Sequence, residues 1–142
     1  MVKLIHPVVD IAIICSDFEE SLRFYHEILG LEIAFEIHIS DDLAQNVGLA
    51  PRGFRQVRVK AGDTLIKLAE IDSPPPPLSG EFSSGVNWLT LLVEDIEETI
   101  ADLKQHGVEL LAEPYSALDA AGVVCARDPD GLLIEFVQPR QP

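Results

Sequence analysis

The chain has 142 residues and a formal charge of −14, because 10 Lys plus Arg face 24 Asp plus Glu. Such an acidic surface repels phosphate backbones and anionic lipids, so we expect no binding to nucleic acid or to a membrane surface. Cys15 and Cys125 lie in apolar runs and predict two buried thiols, not a disulfide. The N-terminus has no signal-peptide pattern, which together with the thiols predicts a cytoplasmic protein.

The first half of the chain predicts one helix among four strands. Ser16, followed three residues later by Glu19, forms a capping box that predicts the start of the helix, and Gly30 predicts its end. Apolar runs and alternating patterns predict strands at residues 7–15, 31–39, 54–60 and 64–71. Residues 40–53 predict a short helix or a loop.

The second half of the chain repeats this pattern. DIAIICSDFEESL at 10–22 aligns with WLTLLVEDIEETI at 88–100, at an offset of 78 residues. The repeat predicts strands at 87–93, 108–112, 122–127 and 132–138, with a helix at 95–106. We therefore predict an α+β fold of tandem βαβββ modules, at residues 1–72 and 85–142, joined by a Pro-rich linker at 73–84.

Three stretches carry a resemblance to a known family: DIAIICSDFEESLRFYHEILGLE at 10–32, WLTLLVEDIEETIADLKQHGVELLAEP at 88–114 and RDPDGLLIEFVQP at 127–139. The chain resembles the vicinal oxygen chelate superfamily, which includes glyoxalase I, bleomycin-resistance proteins and extradiol dioxygenases. The resemblance implies that the two modules form an open mixed-sheet barrel with the active site inside. It also implies a homodimer and a small-molecule ligand.

The resemblance further implies four metal-ligand positions: a His that opens the first strand and a Glu in the last strand of each module. The corresponding positions here hold Asp10, Lys67, Trp88 and Glu135. The Lys67 ammonium and the Trp88 indole offer no lone pair to a metal. We therefore expect no metal cofactor, and an ion pair between Lys67 and Glu135 in its place. A divalent metal at Glu135 remains the alternative.

Strand alternation predicts which side chains face the pocket. We expect Glu135 and Lys67 to act as catalytic groups if there is turnover, with Glu135 or Asp10 as a base and Lys67 stabilising an enolate. His38 is a further candidate acid or base. The predicted ligand-binding residues are Asp10, Trp88, His38, Arg58 and Thr90. The same alternation places Glu36 with His38 on the second strand, and Gln56 with Arg58 on the third.

Two functions follow from these expectations. The first is a binding module that holds a small organic ligand without a metal, as bleomycin-resistance proteins do. The acidic chain suits a cationic ligand, whereas Lys67 and Arg58 favour an anionic or carbonyl group. The alternative is a lyase, isomerase or dioxygenase-type enzyme of the superfamily. The sequence does not choose the ligand.

Overall fold

The computed structural model describes residues 1–141 of the chain. The chain divides into two compact units, of which the first spans Met1–Pro75 and the second begins at Pro76. Each unit contains its own mixed sheet with helices, which confirms the predicted α+β class with open mixed sheets. No helix of the described residues is long and apolar enough to span a membrane.

The first unit contains a four-stranded sheet in the order β1-β4-β3-β2. Strands β1 and β4 are parallel, whereas β4–β3 and β3–β2 are antiparallel. The elements are β1 (Ile11–Ile14), α1 (Phe18–Leu22) with a π-helical continuation (Arg23–Ile28), β2 (Ile33–Ile39), α2 (Asp41–Asn46), β3 (Phe54–Ala61) and β4 (Thr64–Glu70).

Helix α1 covers one face of this sheet. Its N-cap is Asp17, whose side chain accepts a hydrogen bond from the Glu20 N–H, so the predicted cap at Ser16 is wrong by one residue. Asp17 has the extended backbone of an N-cap, and its carboxylate also suits the positive end of the helix. Buried side chains fill the space between the helix and the sheet: Ile13, Phe18, Phe24, Tyr25, Val57, Val59, Ile66 and Leu68.

The opposite face of the first sheet, which we call the open face, is covered only at one end. There α2 buries Ala44 against Ile39, Phe54 and Ala69. Elsewhere this face keeps apolar surface in contact with solvent, with Ile14 exposed to 47% and Phe35 to 42%. The open face therefore has a packed end and an accessible remainder.

The second unit contains a three-stranded sheet in the order β5-β7-β6. As in the first unit, the first strand pairs in parallel with the last one. The elements are β5 (Trp88–Leu92), α3 (Ile96–Gln105), β6 (Ala120–Arg127) and β7 (Leu133–Pro139). Asp95 caps α3 by accepting from the Glu98 N–H, which is the counterpart of the Asp17 cap at the predicted offset of 78.

The predicted strand at 108–112 is not formed. In its place the structure has two isolated bridges to β6, Leu110 with Ala126 and Tyr115 with Val123. Pro114 lies between the bridging residues and has no N–H to donate to a ladder, so the pairing is interrupted. The second module thus has the order βαββ within its sheet, with an edge segment where the fourth strand was expected.

Candidate functional site

The open face of the first sheet holds an ion pair at two of the predicted site positions. Lys67 Nζ lies 3.4 Å from Asp10 Oδ2, and the two side chains keep 25% and 34% of their surface exposed. The backbone N–H of Leu65 also donates to Asp10 Oδ1, at 3.0 Å. This backbone hydrogen bond, followed by the Lys67 ammonium, holds the pKa of Asp10 below its usual value. Asp10 is therefore an anchored carboxylate.

Arg58 lies beside this pair because the strand register brings it there. Arg58 is directly opposite Lys67 on β4 and directly opposite Phe35 on β2, so the three side chains share the open face. The Arg58 guanidinium is 4.7 Å from the centroid of the Phe35 ring. Its Nε donates to Gln56 Oε1 at 2.7 Å, and Gln56 is only 5% exposed. Stacking and hydrogen bonding together hold the guanidinium in one orientation.

The placement of His38 and Glu36 on the open face is wrong. In the ladder His38 is opposite Arg55 and Glu36 is opposite the buried Val57, which puts both side chains on the face that α1 covers. The cause is a β-bulge between Ile33 and residue 35, where one extra residue reverses the alternation of β2. The predicted position of His38 on the open face is thereby corrected, whereas its role in ligand binding stays a prediction.

His38 instead lines a separate hollow at the end of the first sheet. The hollow has a volume of about 660 Å³ and is bordered by both acidic and basic side chains. Arg55, one of its lining residues, is held by Glu36 at 2.6 Å and by Glu70 at 3.3 Å. These two carboxylates raise the pKa of Arg55, with Glu36 making the larger contribution. Its charge is therefore neutralised by the protein itself.

In the second unit, three of the predicted residues share the sheet face that α3 does not cover. Thr90 is opposite Glu135 in the parallel β5–β7 pairing, and its hydroxyl donates to Glu135 Oε1 at 2.7 Å. Trp88 lies two residues earlier on β5 and is 51% exposed. Cys125, on β6, is directly opposite Glu135. Burial raises the pKa of the Cys125 thiol and the Glu135 carboxylate raises it further, so this thiol stays protonated at neutral pH.

The residues at the four family metal positions do not fit a metal ion. Lys67 donates hydrogen bonds and already pairs with Asp10, while Trp88 has only an N–H donor. Across residues 1–141, no group of three or more His, Cys, Asp or Glu side chains is placed to hold a metal. Glu135 has Thr90 as its hydrogen-bond donor. The expected ion pair between Lys67 and Glu135 stays a prediction.

Phe35 is a site residue that the sequence pattern did not predict. Strict alternation over residues 31–39, taken without a bulge, places Phe35 on the face opposite Arg58's, whereas the bulge brings it to the same face. The signal that could have identified it is the register itself. A strand opposite Arg58 must present some side chain to it, and β2 carries an aromatic residue there. Cys125 was assigned to the core and not considered beside Glu135.

Comparison with known protein families gives one match that spans most of the chain. The model of the family described as Glyoxalase/Bleomycin resistance protein/Dioxygenase superfamily matches residues 5–136. Two curated relatives are 28% identical, and both are named as uncharacterized proteins. YraH of Bacillus subtilis (strain 168) aligns over 89% of this chain and 93% of its own length. YaeR of Escherichia coli (strain K12) aligns over 90% and 92%.

Solved structures share the fold over almost the whole chain. A glyoxalase family protein from Enterococcus faecalis has a TM-score of 0.72 at 25% identity and covers 94% of this chain and 98% of its own. One from Bacillus cereus has a TM-score of 0.73 at 22% identity, with 99% and 97% covered. TnmS3 from Streptomyces sp. CB03234, described as an antibiotic binding protein, has a TM-score of 0.65 at 22% identity, with 95% and 99% covered.

Proposed function

The chain belongs to the Glyoxalase/Bleomycin resistance protein/Dioxygenase superfamily, and we propose that it binds a small organic molecule without a metal ion. The observation that carries the proposal is the ion pair between Lys67 and Asp10. These residues stand at two of the positions where metal enzymes of the superfamily bring their ligands. An ammonium there supplies a positive charge and N–H donors to a ligand oxygen, but it cannot coordinate a cation.

The surroundings of the ion pair support a binding role. The open face combines one orienting guanidinium at Arg58 with apolar surface at Phe35 and Ile14. The fold is shared with TnmS3, which is described as an antibiotic binding protein. A mainly apolar surface with a few fixed polar groups is typical of sites for small organic molecules. At 22% identity the likeness to TnmS3 concerns the fold alone, so the ligand has to be found by experiment.

Trp88 and Thr90 give the second unit, considered by itself, a sheet face with groups that suit a small organic molecule. The indole of Trp88 keeps half of its surface accessible and offers a flat apolar wall with one N–H donor. Thr90 holds the Glu135 carboxylate in place with a hydrogen bond of 2.7 Å. A carboxylate fixed in this way also favours the second candidate, a lyase, isomerase or dioxygenase-type enzyme in which Glu135 is the base. Incubating each binder with the protein and following its consumption separates the two candidates.

We further propose a homodimer in a reducing, cytoplasmic setting. The superfamily resemblance supports the dimer, and two cysteines that are not joined in a disulfide, Cys15 and Cys125, support the reducing setting. Sedimentation at micromolar concentration tests the assembly, because a species of only 15.6 kDa contradicts the dimer.

A metal-free titration tests the proposed function. The protein is purified in a chelator, its metal content is measured, and a library of small carbonyl, aromatic, anionic and cationic compounds is titrated against Trp88 emission and by calorimetry. We expect at least one saturable binder whose affinity is unchanged by added Mg²⁺, Mn²⁺, Ni²⁺ or Zn²⁺. Trp88 is the single tryptophan of the chain, so the emission has one source.

A substitution of Lys67 sharpens this test. Lys67→Met removes the ammonium and keeps the length of the side chain, and we expect it to weaken the binder. The matched control is Lys60→Met, because Lys60 also pairs with a carboxylate, Glu32, at 3.4 Å but near the end of β3. Binding that requires an added divalent ion, or that is unchanged in Lys67→Met, contradicts the proposal.

A further inference from the structure

We infer that the ligand of this protein carries a carboxylate, which the paired cations Arg58 and Lys67 bind on the open face of the first sheet. This inference rests on the proposed function and names the chemistry of its ligand. The evidence comes from the charge that each face of the sheet leaves uncompensated, and from the way in which Arg58 is held.

Strand β3 carries two arginines that stack on an aromatic ring in the same way but differ in the number of carboxylates around them. Arg58 lies 4.7 Å above the Phe35 ring, and Arg55 lies 4.7 Å above the Phe18 ring on the other face of the sheet. Carboxylates surround Arg55, whose partners are Glu19, Glu36 and Glu70. The hydrogen-bond partner of Arg58 is the neutral amide of Gln56. Within residues 1–141, no carboxylate lies within ion-pair distance of Arg58.

The two faces therefore differ in local charge. Around Arg55, three carboxylates face one guanidinium, which leaves an excess of negative charge. Within the first unit, Asp10 is the carboxylate that lies near two cations, Lys67 and Arg58, and both cations lower the pKa of Asp10. This cluster of three side chains thus keeps one positive charge in excess, in a protein whose formal charge is −14. A local charge of this sign attracts an anion.

The geometry of Arg58 selects the kind of anion. Phe35 covers one face of the guanidinium and Gln56 takes the Nε–H, so the two terminal nitrogens are the donors that remain for a ligand. Two parallel N–H groups of a guanidinium match the two oxygens of a carboxylate. Lys67 is directly opposite on β4 and adds a third donor from the side.

A carboxylate fits this charge better than a phosphate. A phosphate monoester carries nearly two negative charges at neutral pH, and the second would lie close to the Asp10 carboxylate. A monoanion compensates the single positive charge of the face without adding repulsion. Exposed apolar side chains on the same sheet face, namely Phe35, Ile37 and Ile14, offer contact to an aromatic or aliphatic body behind the carboxylate.

The experiment compares pairs of compounds that differ only in charge. Metal-stripped protein is titrated by calorimetry with 2-naphthoate, 2-naphthamide, 2-naphthylmethylamine and 2-naphthyl phosphate. Each binder from the library is also retested as its carboxylic acid and its primary amide. We expect the carboxylates to bind at least about tenfold more tightly than the amides, and the phosphate more weakly than the carboxylate.

Variants of the two arginines show which guanidinium produces the preference for the carboxylate over the amide. Arg58→Met is expected to remove the preference for the carboxylate over the amide. Arg58→Lys is expected to keep part of this preference, because the positive charge remains but the two parallel N–H groups are lost. Arg55→Met is the matched control: an arginine on the same strand, stacked at the same distance, whose loss leaves the preference intact. Circular dichroism checks that each variant is folded. If Arg58→Met does not fold, Arg58→Lys is the variant that tests whether Arg58 produces the carboxylate preference.

The outcomes separate the two proposals. If the library yields binders but amides bind as tightly as carboxylates, or if Arg58→Met and Arg55→Met behave alike, the carboxylate inference is overturned and metal-free binding stands. If no compound of any charge binds, the proposed function fails, and the inference fails with it. A phosphate that binds more tightly than the carboxylate also overturns the inference.

Discussion

The hydrogen bond between Arg58 and Gln56 can be tested by measuring which residue, when replaced, lowers the free energy of unfolding more. Gln56 is 5% exposed and its Oε1 accepts from Arg58 Nε at 2.7 Å, whereas Arg58 is half-buried and can turn a freed N–H toward water. In the part of the chain that the structure describes, no buried side-chain nitrogen or oxygen lacks a partner. Arg58→Met would leave Gln56 Oε1 without a hydrogen-bond donor. Gln56→Met would not leave Arg58 without an acceptor, because the Arg58 Nε–H can donate to water.

The size of the difference follows from these contacts. Arg58→Met leaves a buried acceptor unsatisfied, which costs about 1–3 kcal/mol, and it removes the stacking on Phe35, which contributes about 0.5–1 kcal/mol. The methionine keeps the packing of the aliphatic stem. We therefore expect Arg58→Met to lower the free energy of unfolding by about 2–3 kcal/mol, and Gln56→Met to lower it by less than about 1 kcal/mol.

Urea denaturation followed by far-UV circular dichroism measures both changes and the double variant. Because Arg58→Met/Gln56→Met has no stranded acceptor, the double variant should be more stable than the sum of the single effects predicts, by about 1–2 kcal/mol. Equal costs for the two single variants, or strictly additive effects, would show that the guanidinium is not held by Gln56. The orientation argument for carboxylate binding would then lose its basis.

Three further outcomes are expected. Iodoacetamide should alkylate Cys125 slowly at pH 8, and Glu135→Gln should speed the reaction, because one of the causes that raise the thiol pKa is removed. Because the folded-state pKa of Asp10 is lowered, its ionisation stabilises the fold above its usual value of 3.8 and this contribution is lost as the pH falls through the lower folded value. Asp10→Asn should therefore be less stable than the wild type at pH 7, and the difference should shrink as the pH falls below 3.8. Gly131→Ala should destabilise the second unit by about 2–4 kcal/mol, because its φ is +81° and the new Cβ would clash with the Leu78 carbonyl oxygen.

Each of these measurements has an internal control and a contradicting result. Cys15 is 1% exposed and should not react in the folded protein; equal rates for Cys125 with and without the Glu135 carboxylate contradict the assigned cause. Asp63→Asn removes a carboxylate whose side chain lies in an exposed turn, and it should leave the acid unfolding curve unchanged. Gly107→Ala has a φ of +75° but open space around it, so a cost equal to that of Gly131→Ala excludes the clash.

Much of the fold was accessible from the sequence because local signals agreed with each other. The capping pattern that begins α1 recurs at α3, and both Asp17 and Asp95 accept a hydrogen bond from the N–H three residues later. Alternation in β1, β3 and β4 grouped Asp10, Arg58 and Lys67 on one face, and the observed ladder gives the same grouping. Period-two alternation is reliable where a strand has no irregularity.

The incorrect predictions concern segments whose local structure depends on pairing with a strand distant in the sequence. A single extra residue in β2 reversed the faces of Phe35 and His38, and nothing within residues 31–39 announces the bulge, because it is defined only against β3. The missing strand at 108–112 has the same origin. Its residues have strand-like composition, but the pairing with β6 is limited to isolated bridges on either side of Pro114.

The partner of Lys67 illustrates how register, not residue type, decides a site. A carboxylate two residues before Ala12, which is directly opposite Lys67, lies diagonally across the parallel pair and within reach of a lysine side chain. The sequence analysis chose Glu135 for Lys67 by analogy with a metal-ligand set and did not weigh Asp10, although both residues were placed on the same face. Because Asp10 is also anchored by the Leu65 N–H, the Lys67 ammonium is held by the protein in the absence of any ligand. A ligand that binds here therefore meets a positive charge that is already ordered, and the entropic cost of ordering that side chain does not oppose its binding.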